Sequence, residues 1–387
     1  MLNTQLLADH LPLGIALSGG SDSTALLSLA VEALGAPQVR AATVNHGLRR
    51  EAAQEAQIAK QLCTSLGVHH DTLELSLDDG ADLQARARHA RYGALAGWAI
   101  ENNLGAVALG HTKDDVAETF LMRLARGSGV DGLAKMPELF RRDGMCFARP
   151  LLKVSRQELQ DHLRVCDLSW SEDPSNIDPR FTRVKMRQAQ STLETLGLTQ
   201  DRLAQTADWM RAASEVLEQA ADTWIINNAW SEHGDAVFNL SALQNAPEET
   251  AYRALSRALC NISSNPYRPR LTALKQVLAR ETATTLHGCL VYRAKNTLRV
   301  TQELRAAQIG PSRWIVKGPI AANASLAPLG TQGLSQLPDW RETAVLPRRS
   351  LLASPAIWDK NRLVAAPLAK PDDIWQVRTT NPLHFSK

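Results

Sequence analysis

Cysteine is scarce in this chain of 387 residues: five occur, Cys63, Cys146, Cys166, Cys260 and Cys289, and no two are close in sequence. That argues against a disulfide scaffold and against cysteine-based zinc spacing, and it suits a reducing cytoplasm. Long apolar runs are missing as well. Nothing approaches the ~20 residues that a membrane-spanning helix needs. Met1 to Leu11 has no basic segment ahead of an apolar core, so it reads poorly as a signal peptide. No Gly-Lys-Ser or Gly-Lys-Thr occurs, which excludes a Walker A loop. Internal repeats and low-complexity tracts are also lacking. What remains is a globular composition, 44% hydrophobic and 21% charged, with length for two or three domains.

Net charge is +3, and its distribution says more than its size. From Asp201 onward there are 22 Lys and Arg against 16 Asp and Glu, which leaves 21 against 24 for the first 200 residues. A neutral or acidic half joined to a basic half is compatible with a polyanionic partner such as RNA. The first half alternates strand-like and helix-like segments. Strands are expected at 13–17, 39–45, 69–75 and 106–109, and helices at 24–30, 51–66, 82–102 (Asp82 as N-cap) and 113–125. Such alternation predicts a parallel sheet with helices on both faces and ligands at the strands' carboxyl ends. Ser155-Arg156-Gln157-Glu158 matches a capping box. Further on, 201–230 reads as a long helix with Leu203, Trp209, Val216, Leu217, Trp224 and Ile225 as its large apolar positions. Shorter helices follow near 248–260 and 271–280, then a hairpin around Lys295-Asn296, and 309–337 reads as a linker rich in Gly, Pro and Ala.

The strongest signal is Ser18-Gly19-Gly20-Ser21-Asp22-Ser23, placed between an apolar run and a helical one. Glycines let a ligand approach the backbone, and the free N–H groups and dipole of a helix N-terminus favour an anion. Hydroxyls from Ser18, Ser21 and Ser23 add donors, and Asp22 suits magnesium. A second constellation is His111, Asp114, Asp115 and Glu118, related by i, i+3, i+4 and i+7 and so on one helical stripe. Neighbouring carboxylates repel unless a cation neutralises them, such as nucleotide-bound magnesium or a substrate ammonium. Arg86, Arg88 and Arg91 on one helix and Arg123 and Arg126 on the next are candidates for phosphate. Gly127-Ser128-Gly129-Val130-Asp131-Gly132 fits the dinucleotide fingerprint in letters only. It follows a helix rather than a strand, so it reads as a loop past a helix C-terminus.

These stretches, together with Asn45-His46-Gly47-Leu48-Arg49, Ala87 to Tyr92, Arg149-Pro150-Leu151-Leu152 and Glu172-Asp173-Pro174-Ser175-Asn176, resemble the tRNA(Ile)-lysidine synthetase family of PP-loop ATP pyrophosphatases. The likeness covers most of the first ~190 residues and is weak beyond, where the hairpin near Leu286 and Leu363 to Leu368 carry it. Two positions depart from the family: Arg183-Val184-Lys185-Met186-Arg187 where Arg-Asn is usual, and Asp167 where glycine is. The resemblance implies an α/β fold: a parallel-sheet PP-loop domain (adenine nucleotide α-hydrolase-like) at 1–200, a mostly helical tRNA-binding domain at 201–308, and a small α+β tRNA-binding module at 309–387. It implies a cytoplasmic ligase that adenylates the C2 oxygen of the wobble cytidine in a CAU-anticodon tRNA(Ile). Free L-lysine then attacks C2 and expels AMP. By the same resemblance, Ser18, Gly19, Gly20, Ser21, Asp22, Ser23, His46 and Arg126 would bind ATP. Asp22 would hold Mg2+. Asp22, His111, Asp114, Asp115 and Glu118 would be catalytic, and Arg49, Arg88, Arg91 and Asn176 would meet the substrate. Absence of Cys-x-x-Cys and of a cysteine after Met1 argues against the sulfur-transferring and glutamine-dependent relatives. An ammonia-dependent NAD synthetase would leave the basic half without a task. A homodimer is compatible with the sequence, which does not fix the oligomeric state.

Overall fold

The computed structural model describes residues 1–45, 52–75, 83–171, 182–307, 309–310, 313–319 and 324–380. His46, Arg49, Asp82 and Asn176 lie outside them. The chain divides into two compact units, Met1–Ser214 and Glu215–Lys387.

The first unit alternates as expected: β1 (Leu13–Ala16), α1 (Ser21–Leu34), β2 (Val39–Asn45), α2 (Ala52–Ser65), β3 (His69–Glu74), α3 (Leu83–Glu101), β4 (Ala106–Ala108) and α4 (Lys113–Leu124). A one-turn helix α5 (Val130–Leu133) leads to β5 (Leu139–Arg142) and β6 (Met145–Ala148), and the helices α6 (Arg156–Val165), α7 (Thr182–Gln188) and α8 (Gln190–Thr195) follow. The sheet order is β3-β2-β1-β4-β6-β5, parallel except for the edge strand β5. All four residues of β1 are buried, the continuous apolar run of a strand covered on both faces. Leu13 and Ile15 pack with Leu26 and Leu27 of α1 and Leu159 and Leu163 of α6. Ala16 faces the other layer, where Tyr92, Leu95 and Ala99 of α3 meet Phe147.

The β5–β6 hairpin is absent from the sequence-based reading. Its signal is the Asp143-Gly144 pair, with φ of 50° and 81°, the dihedral signs of a tight hairpin turn. The glycine-rich segment after α4 is the helix exit expected for it: Gly127 has φ 70°, its N–H donates to Leu124 O, and the Ser128 N–H donates to Arg123 O.

A 29-residue helix, α9 (Gln200–Asn228), runs through the division between the units, which therefore falls at 214/215 rather than at the expected 200/201. Its apolar positions split: Leu203 and Ile225 are buried, whereas Trp209 and Val216 are exposed. In the second unit β7 (Ala229–Glu232) and β8 (Asp235–Asn239) lead through α10 (Leu240–Asn245) to α11 (Glu248–Ser263) and α12 (Leu271–Ala279). With β9 (Thr284–Leu286), β10 (Cys289–Ala294) and β11 (Thr297–Gln302), they make an antiparallel sheet of order β7-β8-β11-β10-β9. The hairpin at Lys295-Asn296 is present as β10–β11. Residues 309–337 are not a linker: they hold β12 (Trp314–Lys317), β13 (Ala324–Pro328) and α13 (Gly330–Ser335), which pack with later elements around Leu329, Leu351 and Trp358. Residues 309–380 join the preceding block in one unit rather than forming a separate module. Asp235 of β8 explains the union. It is 2% exposed and accepts from Arg299 and from Ser350, whose hydroxyl also meets Tyr292 Oη at 2.6 Å. A buried carboxylate costs heavily unless paired and hydrogen-bonded, so these partners lock the C-terminal segment onto the sheet.

Candidate active site

The carboxyl ends of β1 and β4 present two helix N-termini side by side. At the first, Gly19 adopts φ 82°, a left-handed conformation that a side chain would strain, and Gly20 caps α1. The backbone N–H groups of Gly19 to Ser23 have no acceptor among the described residues, as the first turn of a helix dictates. The hydroxyls brace the turn: Ser23 Oγ donates to Gly20 O at 3.1 Å and accepts the Ser18 N–H at 3.1 Å, and Ser21 Oγ donates to Asp22 Oδ1 at 3.0 Å. The Ser171 N–H holds Gly19 O at 2.9 Å. At the second terminus, Thr112 and Asp115 form a capping box in which Asp115 Oδ2 accepts from the Thr112 N–H at 2.9 Å and from its hydroxyl at 3.1 Å. Gly110 lets the two termini approach: a Cβ there would lie 3.0 Å from the carbonyl carbon and oxygen of Asp22.

A cleft of about 600 Å³ opens at this junction. Of the residues expected at the site, Ser18, Gly20, Ser21, Asp22, Ser23, Arg88, Arg91, His111 and Asp115 line it. Gly19 stands in the turn behind. Asp114 and Glu118 border a second cavity of about 510 Å³. Asp114 leaves the shared stripe: its carboxylate accepts from the Arg156 N–H at 2.7 Å and from Gln200 Nε2 at 3.0 Å, so it ties α4 to α6 and α9. Arg126 is exposed and borders neither cavity, while Arg123 donates to Gly132 O at 2.8 Å and shapes the glycine loop. His46, Arg49 and Asn176 fall outside the described residues.

Three arginines that sequence reasoning gave no place at the site neutralise its carboxylates. Arg156 Nε donates to Asp22 at 3.1 Å. Arg183 lies 3.2 Å from Glu118 and 3.8 Å from Asp115, and Arg187 Nε donates to Glu118 at 3.0 Å. Arg183 and Arg187 are four apart on α7 and so share a face. That spacing is their one trace in the sequence. Burial, then the nearby Asp115, raise the pKa of Asp22 against the pull of Arg156. Burial also raises that of Glu118 against Arg187. His111 and Asp115 behave as a pair. Burial pushes the imidazole down to about 4, so it is neutral at neutral pH. Asp115 is held below its usual value: burial opposes the shift, and His111, Arg183 and the Thr112 N–H outweigh it. His111 Nδ1 is buried without a hydrogen-bond partner among the described residues, as a ligand-facing nitrogen would be.

A PP-loop domain model matches residues 2–192. A tRNA(Ile)-lysidine synthase of Ruegeria pomeroyi is 38% identical over 377 residues, 94% of this chain and 90% of the relative. The chain belongs to the tRNA(Ile)-lysidine synthase family. Family members from Bradyrhizobium sp. (44% identity, 56% of this chain and 62% of the relative) and Rhodopseudomonas palustris (38%, 73% and 85%) are also similar. As a tRNA(Ile)-lysidine synthase family member, the enzyme is an ATP-dependent ligase with an α/β PP-loop domain, which is the unit that carries the cleft. Among the described residues no three His, Cys, Asp or Glu side chains gather to hold a metal, and no helix is long and apolar enough to cross a membrane. One carboxylate at the cleft, Asp22, could serve an ion that arrives with a triphosphate, whose phosphate oxygens would supply further ligands.

Proposed function

We propose that the enzyme acts in the cytoplasm on the wobble cytidine of a CAU-anticodon tRNA(Ile) and joins free L-lysine to C2 through an adenylated base. The observation that carries this reading is the joining, in one cleft, of N–H groups at Gly20 to Ser23 that have no acceptor among the described residues with the half-buried carboxylate of Asp22 and the buried one of Asp115. The first is a cradle for phosphate. The second suits a cation.

In the first step the C2 oxygen of cytidine attacks the α-phosphorus of ATP, and pyrophosphate leaves. A ring oxygen is a poor leaving group, and the adenylyl group makes it a good one. The N–H groups of α1 would hold the phosphates, and Ser21 and Ser23 would fix the turn that aims them. Magnesium, when bound, neutralises phosphate charge and eases departure of pyrophosphate. In the second step the lysine amine attacks C2 and AMP leaves. Asp115 and Glu118 would receive the ammonium by exchange for Arg183 and Arg187. Glu118, whose carboxyl is shifted upward by burial, would take the proton that the amine must lose. Neutral His111 would accept or donate a hydrogen bond without adding charge. Arg88 and Arg91, which line the cleft, suit an RNA phosphate, and His46, Arg49 and Asn176 remain candidates for the nucleotide or the RNA. Arg126 has no part in this reading. A base enters such a cleft only when splayed from its loop. The basic second unit would supply the phosphate contacts that hold the rest of the tRNA.

The test is incubation with ATP, labelled lysine and tRNA transcripts bearing CAU or another anticodon. ATP-dependent label on the CAU transcript alone is expected. Label on both, or pyrophosphate released without any label on RNA, would overturn the substrate assignment.

A further inference from the structure

Arg156 is out of place by local rules. It is the first residue of α6, where a cation opposes the positive end of the helix dipole. Its main-chain N–H satisfies Asp114, and its Nε donates to both carboxylate oxygens of Asp22, at 3.3 and 3.1 Å. The two terminal guanidinium nitrogens are another matter. They lie 3.6 Å from Glu118 and 4.0 Å from Asp115, beyond hydrogen-bond distance, and make no hydrogen bond among the described residues. The side chain borders both cavities and is 20% exposed. It is anchored through Nε to the second residue of α1, the helix whose first N–H groups also lack an acceptor among the described residues. The result is a guanidinium with spare donors, held one carboxylate away from an anion cradle.

We propose that Arg156 is a catalytic residue of the adenylation step, its terminal nitrogens donating to α- and β-phosphate oxygens of ATP seated on the N–H groups of α1. The proposal rests on the reading of that turn as the triphosphate cradle. As the C2 oxygen bonds to the α-phosphorus, the bond from that phosphorus to the bridging oxygen breaks. Its electron pair stays on departing pyrophosphate. Negative charge grows on oxygens within reach of a planar fork that donates two parallel bonds. The pairing with Asp22 holds that fork in readiness, since a pre-oriented donor needs no reorganisation as charge develops. The contact with the β-phosphate ends when pyrophosphate departs, so the loss of Arg156 falls most heavily on the first step.

The half-reactions separate the roles. Wild type, R156Q and R156K are each given ATP and CAU tRNA without lysine in single turnover, and pyrophosphate release is followed. Lysine KM and thermal melting are measured alongside. R156Q is expected to slow pyrophosphate release by about 100-fold or more, the loss typical of one transition-state donor. R156K keeps the charge, and so the contact with Asp22, but loses the fork. It is expected to melt like wild type and still to be slowed by roughly tenfold. Lysine KM is expected to stay within about threefold of wild type in both, since a group that touches phosphate and not the amine leaves the second substrate's binding unchanged. Wild-type release from R156Q would overturn the proposal alone. So would a rise in lysine KM with release unchanged, which would put Arg156 in the amine site. Full activity in R156K would reduce the residue to an ion-pair partner and would also overturn it. A wild-type enzyme that released no pyrophosphate would overturn the reading of the cradle itself, and the proposal with it.

Discussion

Gly110→Ala tests the closeness of the two helix termini on which the site depends. The added Cβ would sit 3.0 Å from Asp22 C, Asp22 O and Ser23 N, all main-chain atoms. A side chain could rotate away from such a contact, but a backbone in the first turn of a buried helix cannot. The start of α1 and the segment leading into α4 must therefore move apart by a few tenths of an ångström. Gly110 has no left-handed φ, so the cost is contact alone. Overpacking of this kind costs ~1–3 kcal/mol, which for a domain of this size lowers the melting temperature by about 2–12 °C. A full ångström of misplacement at a catalytic group costs ~100-fold in rate, so this smaller shift is expected to lower kcat/KM for ATP by about three- to tenfold. Gly20→Ala is the companion variant. Its Cβ would meet nothing nearer than Ser18 Oγ at 3.9 Å, at an ordinary φ of −74°. Its melting loss is limited to the poorer cap, ~1 kcal/mol or less. Its methyl, however, would stand where phosphate approaches the N–H groups, so ATP use is expected to fall much further than stability. Thermal melting and ATP-dependent pyrophosphate release measure both effects. Unchanged melting and turnover in Gly110→Ala, or full ATP use by Gly20→Ala, would refute the reasoning.

Three further outcomes are expected. His111 is held near 4 by burial, below its ordinary 6.5, so the unfolded chain takes up a proton first as pH falls and the fold loses stability between about 6.5 and 4. His111→Gln should flatten melting temperature against pH across that window, and an unaltered slope would count against a neutral buried imidazole. Ser350→Ala removes one donor from Asp235 and a partner from Tyr292. Leaving buried polar groups unpaired costs ~1–3 kcal/mol, readable by urea denaturation, whereas an unchanged midpoint would show that the contact is dispensable. Binding of tRNA should weaken steeply as salt rises from about 50 to 200 mM, because phosphate contacts release counterions. A flat titration would deny the basic second unit its grip.

Much of the fold was legible because its signals are local. The capping box at Ser155, the turn at Gly19-Gly20 and the hairpin at Lys295-Asn296 each depend on residues within a few positions of one another. Apolar runs alternating with helical stretches announced a parallel sheet, and a parallel sheet fixes which ends face the ligand. Even the missed β5–β6 hairpin had a local mark in Asp143-Gly144. By contrast, helical spacing placed Asp114 beside Asp115 and Glu118 without showing that Arg156 and Gln200 would draw it away. In α9, periodicity alone did not separate buried Leu203 and Ile225 from exposed Trp209 and Val216. That depends on what packs against each turn.

The glycine turn and helix start at Ser18 to Ser23, the titratable groups from His111 to Glu118 and the parallel α/β scaffold between them were all written locally in the chain. Periodicity and backbone chemistry act over short stretches and need no knowledge of neighbours. The tertiary structure alone decided that Arg156, Arg183 and Arg187 close upon Asp22, Asp115 and Glu118. Arg156 is 134 residues from Asp22, and Arg187 is 69 from Glu118. Coulomb attraction depends on distance in space. Only the strand order that sets β1 beside β4, with α6 packed against α1, brings those charges within reach.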